Sequence, residues 1–301
     1  MNVFVTGGAG FIGSHICKSL LNDGHSVTVY DNLTTGHASL LPDGSQLIEA
    51  DIRDLGDLQT AMHGHDAVIH LAAQALVPES IQNPQKTFDV NIGGGYNVLV
   101  AMKEIGIKKL IYSSTAAVYG VQENMPIKET AEKHPTNPYG ASKLALEHLA
   151  HSYHASYGLD VTVFRYFNPF GPGEEHDPET HAIPNFMKAI RDDKPIPLYW
   201  NGDQIRDFFY VEDLADIHVK ALKLKGYQEY NVGSGRGVTV SQLVQTLSEV
   251  TGKKVEIKDL GKRAGDPPEL LADVSKVKDE MGWNPTPLKK ALEQTWQEYI
   301  S

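Results

Sequence analysis

Tyr139 and Lys143 stand four residues apart in the segment Asn137-Pro138-Tyr139-Gly140-Ala141-Ser142-Lys143, so a helix there presents both on one face. A phenol that ionises at about pH 10 is a poor base at neutral pH. A neighbouring ammonium favours the phenolate, and so does a helix N-terminus. Such a tyrosinate could take the proton from a hydroxyl while hydride leaves the same carbon. Ser113-Ser114-Thr115 supply hydroxyls able to bind the reacting oxygen, and Thr115 would complete a Thr-Tyr-Lys set. Tyr-x-x-x-Lys is common, however, and as an isolated pattern it is usually structural.

A place for a hydride acceptor stands at the start of the chain. Val3-Phe4-Val5 runs into Thr6-Gly7-Gly8-Ala9-Gly10-Phe11-Ile12-Gly13 and then into Ser14-His15-Ile16-Cys17-Lys18-Ser19-Leu20-Leu21. That reads as strand, glycine turn and helix. Glycines let the backbone approach a pyrophosphate closely, and the helix N-terminus offers free N–H groups and a positive dipole end. Gly7, Gly10 and Gly13 are spaced G-x-x-G-x-x-G rather than G-x-G-x-x-G, so the triplet alone is weak evidence. A second strand, Ser26-Val27-Thr28-Val29-Tyr30, ends at Asp31. A carboxylate there can reach the adenosine ribose hydroxyls and repels a 2′-phosphate, which predicts NAD rather than NADP. Asp31 could instead merely open an Asp31-Asn32 turn.

The elements that must position these residues follow from the apolar pattern. Leu47-Ile48-Glu49-Ala50, Ala67-Val68-Ile69-His70-Leu71, Leu110-Ile111-Tyr112-Ser113 and Val161-Thr162-Val163-Phe164-Arg165 read as strands separated by helical segments. Such runs predict an α/β fold of Rossmann type, a doubly wound parallel sheet covered on both faces. Ligands bind beyond the carboxyl ends of such strands, which is where Asp31, Asp51, Ser113 to Thr115 and Asn168 fall. From about Phe170 the chain becomes richer in proline and turns. The expected division is a dinucleotide-binding domain over 1–168 and a smaller α/β substrate lobe over 169–301. Two segments near 206–235, Phe208-Phe209-Tyr210-Val211 and Tyr230-Asn231-Val232, are expected to return to the main sheet.

Composition narrows the function classes. The 301 residues include 27 basic and 38 acidic side chains, a net charge of −11, which disfavours a nucleic-acid or anionic-membrane surface. Cys17 is the single cysteine; it fits packing in the first helix and a reducing cytoplasm. The first strand begins too near Met1 to leave room for a signal peptide, and no apolar run approaches a membrane span. His176, Asp177, Glu179 and His181 could be imagined around a metal, but such a polar loop is expected to be solvated, and no metal is predicted.

These motifs together resemble the extended short-chain dehydrogenases/reductases, and within them the UDP-galactose (UDP-glucose) 4-epimerases. The resemblance covers nearly the whole chain, in order: Thr6 to His15, Asp31-Asn32-Leu33, Asp51-Ile52-Arg53, Ser113 to Gly120, Pro138-Tyr139-Gly140, Arg165-Tyr166-Phe167-Asn168-Pro169, Arg206-Asp207 and Arg263-Ala264-Gly265-Asp266. It implies that NAD lies against Gly7, Gly10, Phe11, Ile12, Gly13, Asp31, Asn32, Asp51, Ile52, Leu71, Ala72, Ala73, Asn91, Ser113, Tyr139, Lys143 and Tyr166. It implies that a UDP-sugar lies against Thr115, Tyr139, Asn168, Arg206, Arg263, Asp266 and Leu270. Arginine suits a diphosphate through paired charge-assisted bonds, although Arg206-Asp207 could also be a local ion pair. The implied reaction is an internal redox cycle. Tyr139 deprotonates the sugar 4-hydroxyl, NAD takes hydride from C4, the 4-keto sugar turns, and both are returned to its other face.

Departures from related enzymes sharpen the expectation. Ala116 and Ala117 occupy the positions where sugar dehydratases hold an acidic pair, and the glutamate usual in decarboxylases is also missing. Ala75 replaces a lysine of many galactose-type epimerases. Leu270 falls where sugar-restrictive members have tyrosine, which predicts tolerance of UDP-N-acetylglucosamine and UDP-N-acetylgalactosamine. A UDP-glucuronate 4-epimerase is the alternative within the class, and a non-catalytic NAD-binding sensor or scaffold the alternative outside it. A homodimer is expected through two helices, with Val98, Leu99, Leu146 and Leu149 supplying either its apolar faces or intramolecular core.

Overall fold

The structure, a computed structural model, describes residues 1–174, 181–261 and 268–300. β1 (Asn2–Thr6) passes through the glycine turn into α1 (Phe11–Asn22), followed by β2 (Ser26–Asp31), β3 (Gln46–Glu49), α2 (Leu55–Met62) and β4 (Ala67–His70). Next come α3 (Val77–Gln82), α4 (Pro84–Phe88), a π-helical turn (Asp89–Gly94), α5 (Gly95–Ile105), β5 (Lys109–Thr115), α6 (Pro138–Tyr157) and β6 (Asp160–Tyr166). The chain continues through β7 (Asn168–Phe170), α7 (Ala182–Arg191), β8 (Ile196–Leu198), β9 (Ile205–Arg206), β10 (Phe208–Tyr210), α8 (Val211–Ala221) and β11 (Tyr227–Val232). It closes with β12 (Val238–Thr239), α9 (Val240–Thr251), β13 (Ile257–Asp259), β14 (Glu269–Leu270), α10 (Ser275–Met281) and α11 (Leu288–Ile300).

Two compact units result. The first comprises Met1–Val121, Glu129–Tyr166 and Leu214–Asn231. Its seven-stranded sheet has the order β11-β6-β5-β4-β1-β2-β3, and β1 pairs in parallel with both β2 and β4. The order therefore reverses at β1, the switch point where an open α/β sheet offers a crevice. The strands are apolar because both faces are covered: Val3, Phe4 and Val5 and Val68 and Ile69 are fully buried. Phe4, Leu58, Met62, Val98, Leu99, Met102, Leu110, Leu146 and Val163 share one core cluster, with Leu149 packed on it. Val98, Leu99 and Leu146 are thus core, not outward faces; on the same two helices the half-exposed aromatics are Tyr96 and Tyr157. Cys17 is buried behind the turn, where a Cβ on Gly8 would lie 3.3 Å from its Sγ, and burial pushes its thiol up to about 12.

The second unit comprises Gln122–Lys128, Phe167–Asp213 and Val232–Ser301. It holds the small sheets β10-β7, β12-β9-β14 and β13-β8. Its core gathers Phe170, Phe186, Met187, Leu243, Leu247, Leu292 and Trp296. Of the two segments expected to rejoin the main sheet, Tyr230-Asn231-Val232 does so, as the end of β11. Phe208-Phe209-Tyr210 does not: β10 pairs in parallel with Asn168–Phe170 instead. Both segments are apolar, and apolarity does not specify a strand's partner.

Candidate active site

The glycine turn is built by close approach. Gly7 has φ 73°, and a Cβ there would stand 2.5 Å from the Ala72 nitrogen; a Cβ on Gly13 would stand 2.3 Å from the Gly7 carbonyl oxygen. At Gly10 a Cβ would meet only the Gly7 oxygen, at 3.4 Å. Two glycines therefore serve packing and one leaves an open approach at the N-cap of α1, which fits a pyrophosphate at a helix N-terminus. Phe11 and Ile12 open the helix. The Thr6 carbonyl accepts from both Leu71 and Ala72, at 3.0 and 3.1 Å, joining the ends of β1 and β4; Ala73 follows.

Asp31 makes the turn that its sequence allows and also braces the glycine loop. Its Oδ1 accepts from the Leu33 nitrogen at 2.9 Å, which is the turn, and its Oδ2 accepts from Ala9 in the glycine loop at 3.0 Å. Burial raises its pKa against the pull of these two bonds. Each carboxylate oxygen keeps a lone pair for a ribose hydroxyl. Asn32 donates to Asp51 at 2.9 Å, and Arg53 grips Asp51 through Nε and Nη2 at 2.9 and 2.8 Å. These bonds, the Arg53 contact foremost, hold the Asp51 carboxyl well below the usual range. Ile52 is buried in the core beside Gly94. Open glycine, ribose-side carboxylate and helix N-terminus together suit an adenine dinucleotide.

The pair Tyr139 and Lys143 lies at the start of α6. Asn137 caps it, accepting from Gly140 at 2.8 Å, with Pro138 in the first turn. Lys143 is 4% exposed. Its Nζ donates to the Ser113 carbonyl at 2.8 Å and sits 3.4 Å from the Ser113 hydroxyl. The Thr115 hydroxyl, which accepts from Ala117 N at 3.2 Å, favours the ionised form of the Tyr139 phenol, but burial is the larger influence and pushes the phenol up to about 12. The Tyr139–Lys143 spacing predicts an ammonium-lowered tyrosine; in the protein alone burial dominates, and burial also brings Lys143 down to about 7. Tyr166 is buried with its hydroxyl 2.8 Å from His218 Nε2. His218 Nδ1 lies 2.8 Å from the Leu214 carbonyl, so Nδ1 is the donor and Tyr166 donates to Nε2.

Asn91 lies in the π-helical turn, which the sequence pattern did not reveal. It accepts from Gln74 N at 2.7 Å and donates to Gln74 O and Ser142 Oγ at 3.0 and 2.9 Å. Ser142 donates to the Tyr139 carbonyl at 2.7 Å. One amide hydrogen of Asn91 thus braces the helix that bears Tyr139, and the other holds the segment after β4 through Gln74. Sequence reasoning passed over Glu147 and gave no separate role to the fully buried Arg165; hydrogen bonds and an ion pair join Arg165 to Glu147, to which the Ser114 hydroxyl also donates. An arginine inside an apolar strand was the available signal.

In the second unit Asn168 donates from Nδ2 to the Asp207 carbonyl at 3.3 Å. Leu270 stands beside Arg206 in the β14–β9 register. The Asp207 carboxylate is fully buried and receives Ser234 N and Oγ, Gly235 N and Ala272 N. Arg263 and Asp266, like His176, Asp177 and Glu179, lie outside the described residues. His181 contacts Glu174 at 2.7 Å. Among the described residues no cluster of His, Cys, Asp or Glu could hold a metal ion, and no helix is long and apolar enough to cross a membrane.

Residues 3–233 match the model of the NAD dependent epimerase/dehydratase family. A UDP-glucose 4-epimerase of Lacticaseibacillus casei is 39% identical over 320 residues, spanning 98% of this chain and 96% of that protein. The crystal structure of UDP-glucose 4-epimerase from Brucella ovis in complex with NAD superposes with a TM-score of 0.93 at 38% identity, covering 99% of this chain and 98% of that one. The UDP-N-acetylglucosamine 4-epimerase from Methanobrevibacter ruminantium, in complex with UDP-N-acetylmuramic acid, gives a TM-score of 0.95 at 37% identity, with 99% and 98% covered.

Proposed function

Because the chain belongs to the NAD-dependent epimerase/dehydratase family, we propose that it is a UDP-hexose 4-epimerase that interconverts UDP-glucose and UDP-galactose. The observation that carries this reading is the arrangement at the end of β5: Lys143 donates to the Ser113 carbonyl at 2.8 Å, and the Thr115 hydroxyl favours ionisation of the Tyr139 phenol.

When bound, NAD supplies the hydride acceptor and donor for the sugar carbon, with no net redox change, and an oxidised ring adds positive charge. Gly10 and the α1 N-terminus would hold its pyrophosphate, Asp31 its ribose, and Asn32, Asp51 and Ile52 the region beyond. Tyr139 Oη removes the proton from the sugar 4-hydroxyl and later returns it to the 4-keto oxygen. The Lys143 ammonium and the Thr115 hydroxyl favour the tyrosinate, and Thr115 can also orient the reacting oxygen. Arg206 would hold the diphosphate, with Asn168 in the same unit, so the sugar can turn while its nucleotide stays anchored; Arg263 and Asp266, also expected to bind the nucleotide-sugar, lie outside the described residues. Leu270 leaves room for a 2-acetamido group, which extends the substrate range to the N-acetyl sugars.

The test is NMR of purified protein, with no NAD added, on UDP-galactose, UDP-N-acetylgalactosamine and UDP-glucuronate separately. C4 inversion of the hexose supports the reading and retained NAD together. Turnover of glucuronate alone would replace it with a uronic-acid epimerase. No turnover with NAD supplied would leave a non-catalytic NAD-binding protein. We also propose a homodimer, with the exposed Tyr96 and Tyr157 on α5 and α6 at its contact; light scattering should give twice the monomer mass.

A further inference from the structure

Beside the catalytic helix lies a charged cluster that the reaction above does not use. Arg165 is 0% exposed in β6. Its Nε and Nη2 donate to Glu147 Oε1 and Oε2 at 2.9 and 2.7 Å, and Nη2 also donates to Glu229 at 2.6 Å. Its Nη1 donates to the Tyr119 hydroxyl at 2.9 Å and the Glu129 carbonyl at 3.3 Å. Glu147, 2% exposed, lies one helical turn beyond Lys143 on α6. Its Oε1 accepts the Ser114 hydroxyl at 2.5 Å. Ser114 is the residue between Ser113, which holds Lys143, and Thr115, which meets Tyr139.

We propose that Glu147 is a positioning residue for the reaction: by binding Ser114 and Arg165 together it fixes the catalytic helix in register on β5, and it keeps a negative charge one turn from the Lys143 ammonium. The proposal rests on the reading of Tyr139 and Lys143 as the catalytic pair.

The charges around both groups agree with this role. From β4, His70 faces Lys143 as a neutral ring, held down at about 3 by burial and by the ammonium. From β5 come the Ser113 oxygens and the Tyr112 ring, 5.1 Å from Nζ. From α6 come Tyr139 and Glu147. Burial lowers Lys143 and the Glu147 charge opposes that fall, so Glu147 protects the charged lysine that a tyrosinate needs. Facing Glu147 are Arg165 from β6, Ser114 and Tyr112 from β5, Tyr119 from the segment after it, and Tyr227 and Glu229 from β11. At the rim, Lys133 stands 4.0 Å from Glu229, and Glu129 adds the opposite charge, accepting from Asn231 N at 2.9 Å. One buried arginine between two carboxylates leaves a negative balance toward Lys143.

Glu147→Gln keeps the side chain's shape and removes its charge. In full-length protein labelled with 13C-lysine, the Cε signal absent from Lys143→Arg identifies Lys143, and its titration midpoint can be read without turnover. The expected midpoint in Glu147→Gln is lower than in the wild type by about half a pH unit or more. The expected kcat falls about ten-fold or more while KM changes less than about three-fold, and the alkaline fall of kcat moves to lower pH. A midpoint that stays at the wild-type value overturns the proposal. If Glu147→Gln does not fold, Ser114→Ala decides instead, because it leaves the Glu147–Arg165 pair in place. There kcat should drop about five-fold at constant KM, and wild-type kcat overturns the register role. Wild-type protein inactive on every nucleotide sugar would refute the epimerase reading, whereas the lysine midpoint, read without turnover, would still test the charge of Glu147 on its own.

Discussion

Lys143 and Glu147 show how burial sets chemistry one side chain at a time. A lysine 4% exposed loses most of its hydration, and the carbonyl of Ser113 returns only part of it. The tyrosine beside it is driven up by the same burial, so the chain alone does not make Tyr139 a ready base. Removing the hydroxyl tests its role most directly. Tyr139→Phe should lower kcat by about 10²–10⁴-fold, the range for general acid–base groups. KM and NAD content should stay near wild type; an NMR epimerisation rate within ten-fold of wild type, roughly one decade, would count against Tyr139 as the base. This site was legible in the sequence because Tyr139 and Lys143 share a helix, where spacing fixes direction. Arg165 and Glu147 were not, because their contact depends on which helix covers which strand.

Among the elements, the β1–α1 turn separates two jobs that the glycine pattern runs together. Gly13→Ala would force a Cβ to 2.3 Å from a backbone oxygen and should destabilise the fold by several kcal/mol, roughly the scale of a severe core clash. Gly10→Ala meets only one atom, at 3.4 Å, and its φ of −80° suits alanine. It should melt within about 2 °C of wild type yet retain much less NAD, measured by releasing and assaying the cofactor from denatured protein. Equal NAD content in Gly10→Ala and wild type would remove Gly10 from the pyrophosphate site. Helix α6 carries a third prediction. Asn137→Ala deletes the cap bond to Gly140 and should cost about 1 kcal/mol in chemical denaturation. The cap was readable from Asn137-Pro138 alone. The π-helical turn at Asn91 was not, since nothing in Asp89-Val90-Asn91-Ile92-Gly93-Gly94 announces a wider turn.

At the scale of the whole molecule, parallel strands alternating with helices identified the sheet, whereas the small sheets escaped because strands of two or three residues have too little pattern to name a partner. Burying polar rings inside such a fold makes its stability depend on pH. His70 and His218 are buried and held neutral, at about 3 and about 4, against 6.5 when unfolded. Between those values the unfolded chain binds protons that the native chain does not, so stability falls as pH drops below 6.5. Each histidine contributes a slope of up to about 1.4 kcal/mol per pH unit. Thermal melts of wild type and His218→Gln from pH 7 to 4.5 should converge as acid is added, because the variant lacks one of the two liabilities; parallel curves would show that His218 does not titrate as described. The lone thiol of Cys17 offers a different kind of information. It lies behind Gly8, sealed from solvent, so a thiol reagent can reach it only while the dinucleotide turn is open. Its labelling half-life is therefore a clock for opening of that turn, and added NAD should slow the clock in proportion to how much of the protein it occupies.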